Sequence, residues 1–165
     1  MDSMNLMVEP PEQALASVFA LTGHVLQPLS LSLEQLRSYD SVLGAPFDLR
    51  CFTTNRYIRR VGRYRGVSLT ALIKQAGLRN DSPGDFKRMV FVAAAQDGYA
   101  VTFSWHELFN TPVGESVLIA YECDDEPLSA EDGAPILFSG MDIMAAPRHV
   151  KRLRRIDVQL LRPLV

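Results

Sequence analysis

Apolar positions along the chain follow two periods. Leu69, Leu72, Ile73 and Ala76 recur at i, i+3, i+4 and i+7, which places one apolar stripe along a helix. Ser68 stands where an N-cap is needed and Gly77 where a left-handed C′ residue ends a helix, so a helix is predicted over 68–76. Ser32 with Gln35, and Ser104 with Glu107, have the spacing of a capping box. The first opens a short helix running to about Tyr39, and the second opens another directly after Phe103.

Elsewhere the period is two or the run is wholly apolar. Val18 to Leu26 reads as a first strand ended by Pro28. Phe47 to Thr53 alternates large apolar with polar side chains, putting Leu49 and Cys51 on one face. Arg88 to Ala95, Tyr99 to Phe103, Val117 to Tyr121 and Pro135 to Phe138 are further strand candidates. Ile156, Val158 and Leu160 alternate with Asp157 and Gln159 in a last strand, after a tight turn between Val150 and Leu153. The prediction is an α+β class: a mixed, strand-rich domain with about three short helices.

At 165 residues the chain has the length of one domain, expected over 16–165 behind an arm at 1–15. Its 47% hydrophobic content is enough to build a core and excludes a disordered chain. A net charge of −2 argues against a polyanion as the main partner, so no nucleic acid is expected. No apolar run approaches the roughly 20 residues of a membrane span. The start lacks a basic n-region and meets Pro10-Pro11 early, so the expected location is cytoplasmic.

Two features carry candidate chemistry. Cys51 precedes a segment with Arg56, Arg59, Arg60, Arg63 and Arg65, and nearby cations favour the thiolate, the form that ligates metals. A buried cysteine acting as a small hydrophobe is the competing reading. Cys123 lies between Glu122 and Asp124, where like charge raises a thiol pKa, and neither cysteine has a zinc-type spacing. Arg148, His149, Lys151 and Arg152 form a second basic cluster after the small residues of 140–147, a cradle suited to phosphate. The bland alternative is a solvated strand end.

An ordered set of motifs resembles the molybdopterin-binding domain of the sulfite oxidase family. It consists of Leu21-Thr22-Gly23 followed by 31–36, Tyr64 to Leu69 leading to Ala76-Gly77, and Ala95 to Tyr99 leading to Phe103-Ser104. Leu118 to Tyr121, Pro127-Leu128, Gly133-Ala134-Pro135 and Val150 to Ile156 complete it, so the resemblance runs from about residue 18 to residue 161. It implies the sulfite oxidase molybdopterin-binding fold, with the molybdenum cofactor in a cleft, and a molybdenum-dependent oxidoreductase performing oxo-transfer to or from a small substrate.

The resemblance further implies a single thiolate on the metal, here Cys51, and cofactor phosphate contacts from Arg148, His149 and Lys151. Counted back from Gly66-Val67, the family's thiolate position falls near Thr54, three residues from Cys51. Leu137-Phe138-Ser139 also stands where the family carries an Arg-containing run. These departures define the alternative: a non-catalytic pterin- or anion-binding or protein-interaction module that has lost the metal ligand. Partners are accordingly a small-molecule substrate or anion and, for the enzyme, a redox partner protein that takes up the electrons.

Overall fold

A computed structural model describes residues 18–164, so the expected arm at 1–15 lies outside the described residues. The chain runs β1 (Phe19–Gly23), β2 (Leu29–Leu31), α1 (Leu33–Arg37), β3 (Val42–Leu43), β4 (Phe47–Arg50), β5 (Tyr57–Val61), β6 (Tyr64–Ser68) and α2 (Leu69–Ala76). It continues with β7 (Met89–Ala95), β8 (Ala100–Ser104), α3 (Trp105–Phe109), β9 (Val117–Cys123), β10 (Glu126–Pro127), β11 (Ile136–Ser139), β12 (His149–Val150) and β13 (Leu153–Leu160).

Two sheets organise these strands. The first has the order β2-β1-β13-β7-β8, and the second β12-β11-β9-β6-β3 with β10 on β9. Strands β4 and β5 form a separate hairpin. The parallel pair β1–β13, with Leu21 opposite Ile156, ties the start of the described chain to its end. One core cluster takes apolar side chains from both sheets together with the α2 stripe, and Leu69, Leu72, Ile73 and Ala76 are all buried in it.

The second sheet is buried on both faces. Along β9, Val117, Ile119 and Tyr121 join the first core, whereas Leu118 and Ala120 join a second cluster with Val61, Tyr64, Ile136 and Phe138. Phe47 and Leu49 of β4 pack against that second cluster. A strand covered on both sides gains from apolar residues at every position, which accounts for the unbroken run at 117–121. By contrast β7 alternates, with Met89, Phe91, Ala93 and Ala95 buried and the residues between them half-buried.

Local signals translate into hydrogen bonds. The Gln35 N–H donates to Ser32 Oγ at 3.1 Å while the Ser32 N–H donates to Gln35 Oε1 at 2.8 Å. Ser104 and Glu107 repeat the box at 3.0 and 2.9 Å. Ser68 differs from the expectation: its hydroxyl bonds Thr70 Oγ1 at 2.9 Å and makes no cap. The Val18 to Leu26 strand is shorter than its apolar run, because Gly23 turns the chain at φ 96°.

Strand β4 stops at Arg50, before the predicted end at Thr53, because residues 51–55 form a turn. The Asn55 N–H donates to the Cys51 carbonyl at 2.7 Å, and Asn55 occupies the left-handed region at φ 60°. The basic segment that follows is ordered as β5 and the start of β6, with Tyr57 to Arg60 exposed and Val61 buried. Strand β13 begins at Leu153, three residues earlier than predicted, and Arg152 at φ 54° makes the tight turn from β12. Gly66 lies where the β6–β9 register shifts, and a Cβ there would stand 2.2 Å from the Ile119 carbonyl oxygen.

Candidate functional site

On the outer face of the second sheet, four rings meet under the hairpin. Phe47 from β4 stacks on Phe138 from β11 with centroids 4.7 Å apart. Tyr64 from β6 meets Phe138 edge-on at 5.5 Å and lies nearly parallel to the His149 ring at 5.8 Å. The Tyr64 phenol oxygen is 2.7 Å from His149 Nε2. Burial pushes the Tyr64 pKa up to about 12, with a smaller push from the Cys123 thiol beside it. Burial first, then Arg59 and Lys151, takes His149 down to about 4. Both groups are neutral at pH 7, so the pair is an uncharged polar contact inside an aromatic wall.

Three clefts share this wall. A cleft of about 440 Å³ is lined by Phe47 and Phe138, by Arg50 and Asn55 at the hairpin, and by Met144 and Ala145. A second, of about 610 Å³, is lined by Gln96, Tyr99, His149, Lys151 and Arg152. A third, of about 330 Å³, has Arg59, Tyr64, Cys123 and Lys151 in its lining. Lys151 thus faces two clefts, and its stem crosses Gly133, where a Cβ would come within 3.0 Å of Lys151 Cβ. Gly133 holds φ at 98° in that close approach.

The predicted residues separate into groups. His149 and Lys151 share the second cleft. Arg148 is engaged elsewhere: its Nε and Nη2 donate to both Asp142 oxygens at 2.8 and 2.7 Å. Its Nη1 reaches Glu107 Oε2 and the Thr102 carbonyl, each at 3.0 Å, and the guanidinium lies 4.2 Å from the Phe103 ring centroid. Most of its donors are therefore spent on fixing the 140–148 segment against β8 and α3.

Cys51 sits in the turn after β4, half-buried, with its N–H donating to the Arg56 carbonyl at 2.9 Å. The Thr54 hydroxyl, then the backbone N–H groups of Thr54 and Thr53, hold its thiol below the usual range, with Arg56 adding to the effect. Cys51 is not among the residues lining the first or second cleft, although its neighbour Arg50 lines the first. Cys123 moves the other way: burial raises its pKa, and Asp124 raises it further.

With this geometry in view, comparison with known proteins decides the family. The model of the oxidoreductase molybdopterin binding domain matches residues 9–161. The chain belongs to that family. Among solved structures, the sulfane dehydrogenase SoxCD from Paracoccus pantotrophus is similar, with a TM-score of 0.66 at 19% identity. The match covers 92% of this chain and 39% of the SoxCD chain, so the likeness is one of fold and the chain spans less than half the length of that relative. No curated protein matches. The sequence-predicted α+β class and sulfite oxidase-type fold are both borne out.

The residues fit the cofactor of a molybdopterin-binding domain in chemistry. A thiol held toward its thiolate suits a soft metal ligand, and a cleft carrying Lys151 and Arg152 suits a phosphate. Sequence reasoning missed Tyr64 and Phe47 as side-chain parts of the site, and read Arg59 only as one of the cations after Cys51. Tyr64 belongs to the family-like Tyr64-Arg65-Gly66 run, but nothing in the sequence pairs it with a histidine 85 positions away. Among the described residues no helix is long and apolar enough to cross a membrane.

Proposed function

We propose that this domain transfers an oxygen atom to or from a small substrate, with Cys51 as the thiolate ligand of the molybdenum cofactor and His149 and Lys151 at the cofactor phosphate. The observation that carries this reading is the Cys51 thiol itself: half-buried in the 51–55 turn, held toward thiolate by Thr54 and Thr53, and next in sequence to a residue lining an open cleft. When bound, the cofactor supplies two-electron oxygen-atom transfer at its metal. The chain's own residues bind and orient it. Lys151 presents a cation to the phosphate, and His149, kept neutral, offers a ring nitrogen whose direction is fixed by Tyr64.

Arg148 enters this reading as a positioning residue. By clamping Asp142 and Glu107 it sets the chain that leads into His149 and Lys151, while one guanidinium N–H remains for a phosphate oxygen. Electrons leave to an external redox partner protein.

One observation favours the second reading, a pterin- or anion-binding module without the metal: Cys51 lines none of the three clefts, whereas His149 and Lys151 both line the second. The test is metal analysis of the wild-type chain and Cys51→Ser, both purified from a host that makes the cofactor, with pterin phosphate binding measured on Lys151→Ala. Molybdenum in the wild type, its loss in Cys51→Ser, and weakened pterin phosphate binding in Lys151→Ala are expected. Equal molybdenum in both proteins overturns the ligand assignment. No molybdenum in either, with pterin phosphate still bound through Lys151, establishes the module.

A further inference from the structure

The cleft beside the hairpin tip has a charge pattern that selects its occupant. Three charged side chains line it: Asp48, Arg50 and Asp142. Asp48 is paired with Arg60 at 3.0 Å on the neighbouring strand, and Asp142 is held by both Arg148 nitrogens and by the Ser139 hydroxyl at 2.8 Å. Each carboxylate is thereby matched by an arginine that does not line the cleft. Arg50 is the exception. Its Nη1 donates to the Asn55 carbonyl at 3.1 Å and its guanidinium lies 5.6 Å from the Tyr57 ring centroid, and among the described residues no carboxylate pairs with it.

The rest of the lining is mixed, with Asn55 and Gly140 beside apolar and aromatic side chains. The stacked pair Phe47 and Phe138 supplies its rings, with Ala45, Pro46, Ile143, Met144 and Ala145 as the other apolar side chains. At about 440 Å³ the space exceeds what a small inorganic oxyanion fills. An inorganic dianion here meets one unpaired guanidinium and no second free cation, and leaves the aromatic wall wet. A molecule with an apolar body and one terminal anionic group satisfies Arg50 by a charge-assisted bond and covers the rings.

We infer that this cleft is the substrate site and that it takes small organic monoanions, an aromatic or apolar body carrying one oxyanion group, in preference to inorganic oxyanions such as sulfite. The inference rests on the oxo-transfer reading for its assignment as a substrate site, and on the cleft alone for its ligand class. Arg50 holds the anionic group, next in sequence to the proposed metal ligand. Phe47 and Phe138 hold the body. Asp48 and Asp142, each already paired with its own arginine, leave no second cation for a further negative charge.

Titration calorimetry on the full-length purified chain tests this with two probes, benzenesulfonate and sulfite. Saturable benzenesulfonate binding at least about tenfold tighter than sulfite is expected. Arg50→Gln is expected to weaken benzenesulfonate by about tenfold or more, since a hydrogen bond to a charged group is lost. Ala45→Trp, at an exposed position in the lining, fills the space and is expected to abolish binding without touching either core. Arg155→Gln, exposed on β13, controls for a general loss of positive charge. Sulfite binding as tight as benzenesulfonate, an unchanged Arg50→Gln, or an equal effect of Arg155→Gln overturns the inference. Molybdenum retention in Arg50→Gln and Cys51→Ser is read separately. Metal lost only in Cys51→Ser with no benzenesulfonate selectivity sinks the ligand class alone, and metal absent throughout with selectivity intact sinks the oxo-transfer reading alone.

Discussion

The Tyr64 phenol oxygen stands 2.7 Å from His149 Nε2, and burial drives the two groups in opposite directions, each toward its neutral form. The contact joins the middle of the second sheet to its edge strand β12, since Tyr64 opens β6 and His149 opens β12. It therefore fixes the ring that precedes Lys151 from a strand that does not hydrogen-bond with it. Tyr64→Phe leaves Nε2 buried without this partner and is expected to cost about 1–3 kcal/mol in urea unfolding. A loss within error of zero shows that another group replaces the phenol.

His149 also sets a pH dependence. Its folded pKa of about 4 lies below the ordinary 6.5, so between these values the unfolded chain takes up a proton that the folded chain refuses. Stability from this group is fully present above pH 6.5 and is lost as pH falls toward 4. The loss is roughly 3 kcal/mol at most, because each pKa unit is worth about 1.4 kcal/mol. Replacing His149 with Gln removes the titration, so the wild-type stability is expected to fall more steeply than the variant's across that window. Parallel unfolding curves from pH 7 to 4 would contradict the assignment.

Arg148 is expected to reveal itself in stability. Its guanidinium joins Asp142 and Glu107 with about a fifth of its side chain exposed, and Asp142 is covered somewhat more. Arg148→Lys keeps the charge but loses the fork that meets both Asp142 oxygens, so a cost of about 2–4 kcal/mol is expected in chemical denaturation. Glu107→Gln is expected to cost less than about 1 kcal/mol, since Glu107 is more exposed and its capping oxygen is retained. Equal costs for the two variants would mean that the clamp rests on Glu107 and not on Asp142.

Legibility in the sequence followed the range of the interactions. The α2 stripe, both capping boxes and the apolar run at 117–121 were readable because each is set by residues within one turn or one strand. The β5 strand was not, since four of its five residues face solvent and its partner β4 supplies the pairing. The same holds for the site. Cys51 was legible as a thiol before a cationic run, yet the sequence credits the arginines, whereas the Thr54 hydroxyl and the Thr53 and Thr54 amides contribute more than Arg56. Arg148 read as a free cation because Asp142 lies six residues away and Glu107 forty-one, distances at which sequence carries no geometry.

The contrast between the two cysteines gives the last prediction. Cys51 is lowered first by the Thr54 hydroxyl and then by the turn amides, and Cys123 is raised by burial and then by Asp124. Alkylation by iodoacetamide proceeds through the thiolate, so at pH 7 Cys51 is expected to react well ahead of Cys123, with the midpoint of its rate profile at the lower pH. Thr54→Val removes the hydroxyl hydrogen bond and leaves the turn amides, so the Cys51 midpoint is expected to move up toward the ordinary thiol value while Cys123 stays in place. Mass spectrometry of the alkylated peptides separates the two sites at each pH. Coincident profiles for the two thiols, or a Cys51 profile indifferent to Thr54→Val, would show that the 51–55 turn does not activate the thiol, and the proposed metal ligand would lose its chemical basis in this chain.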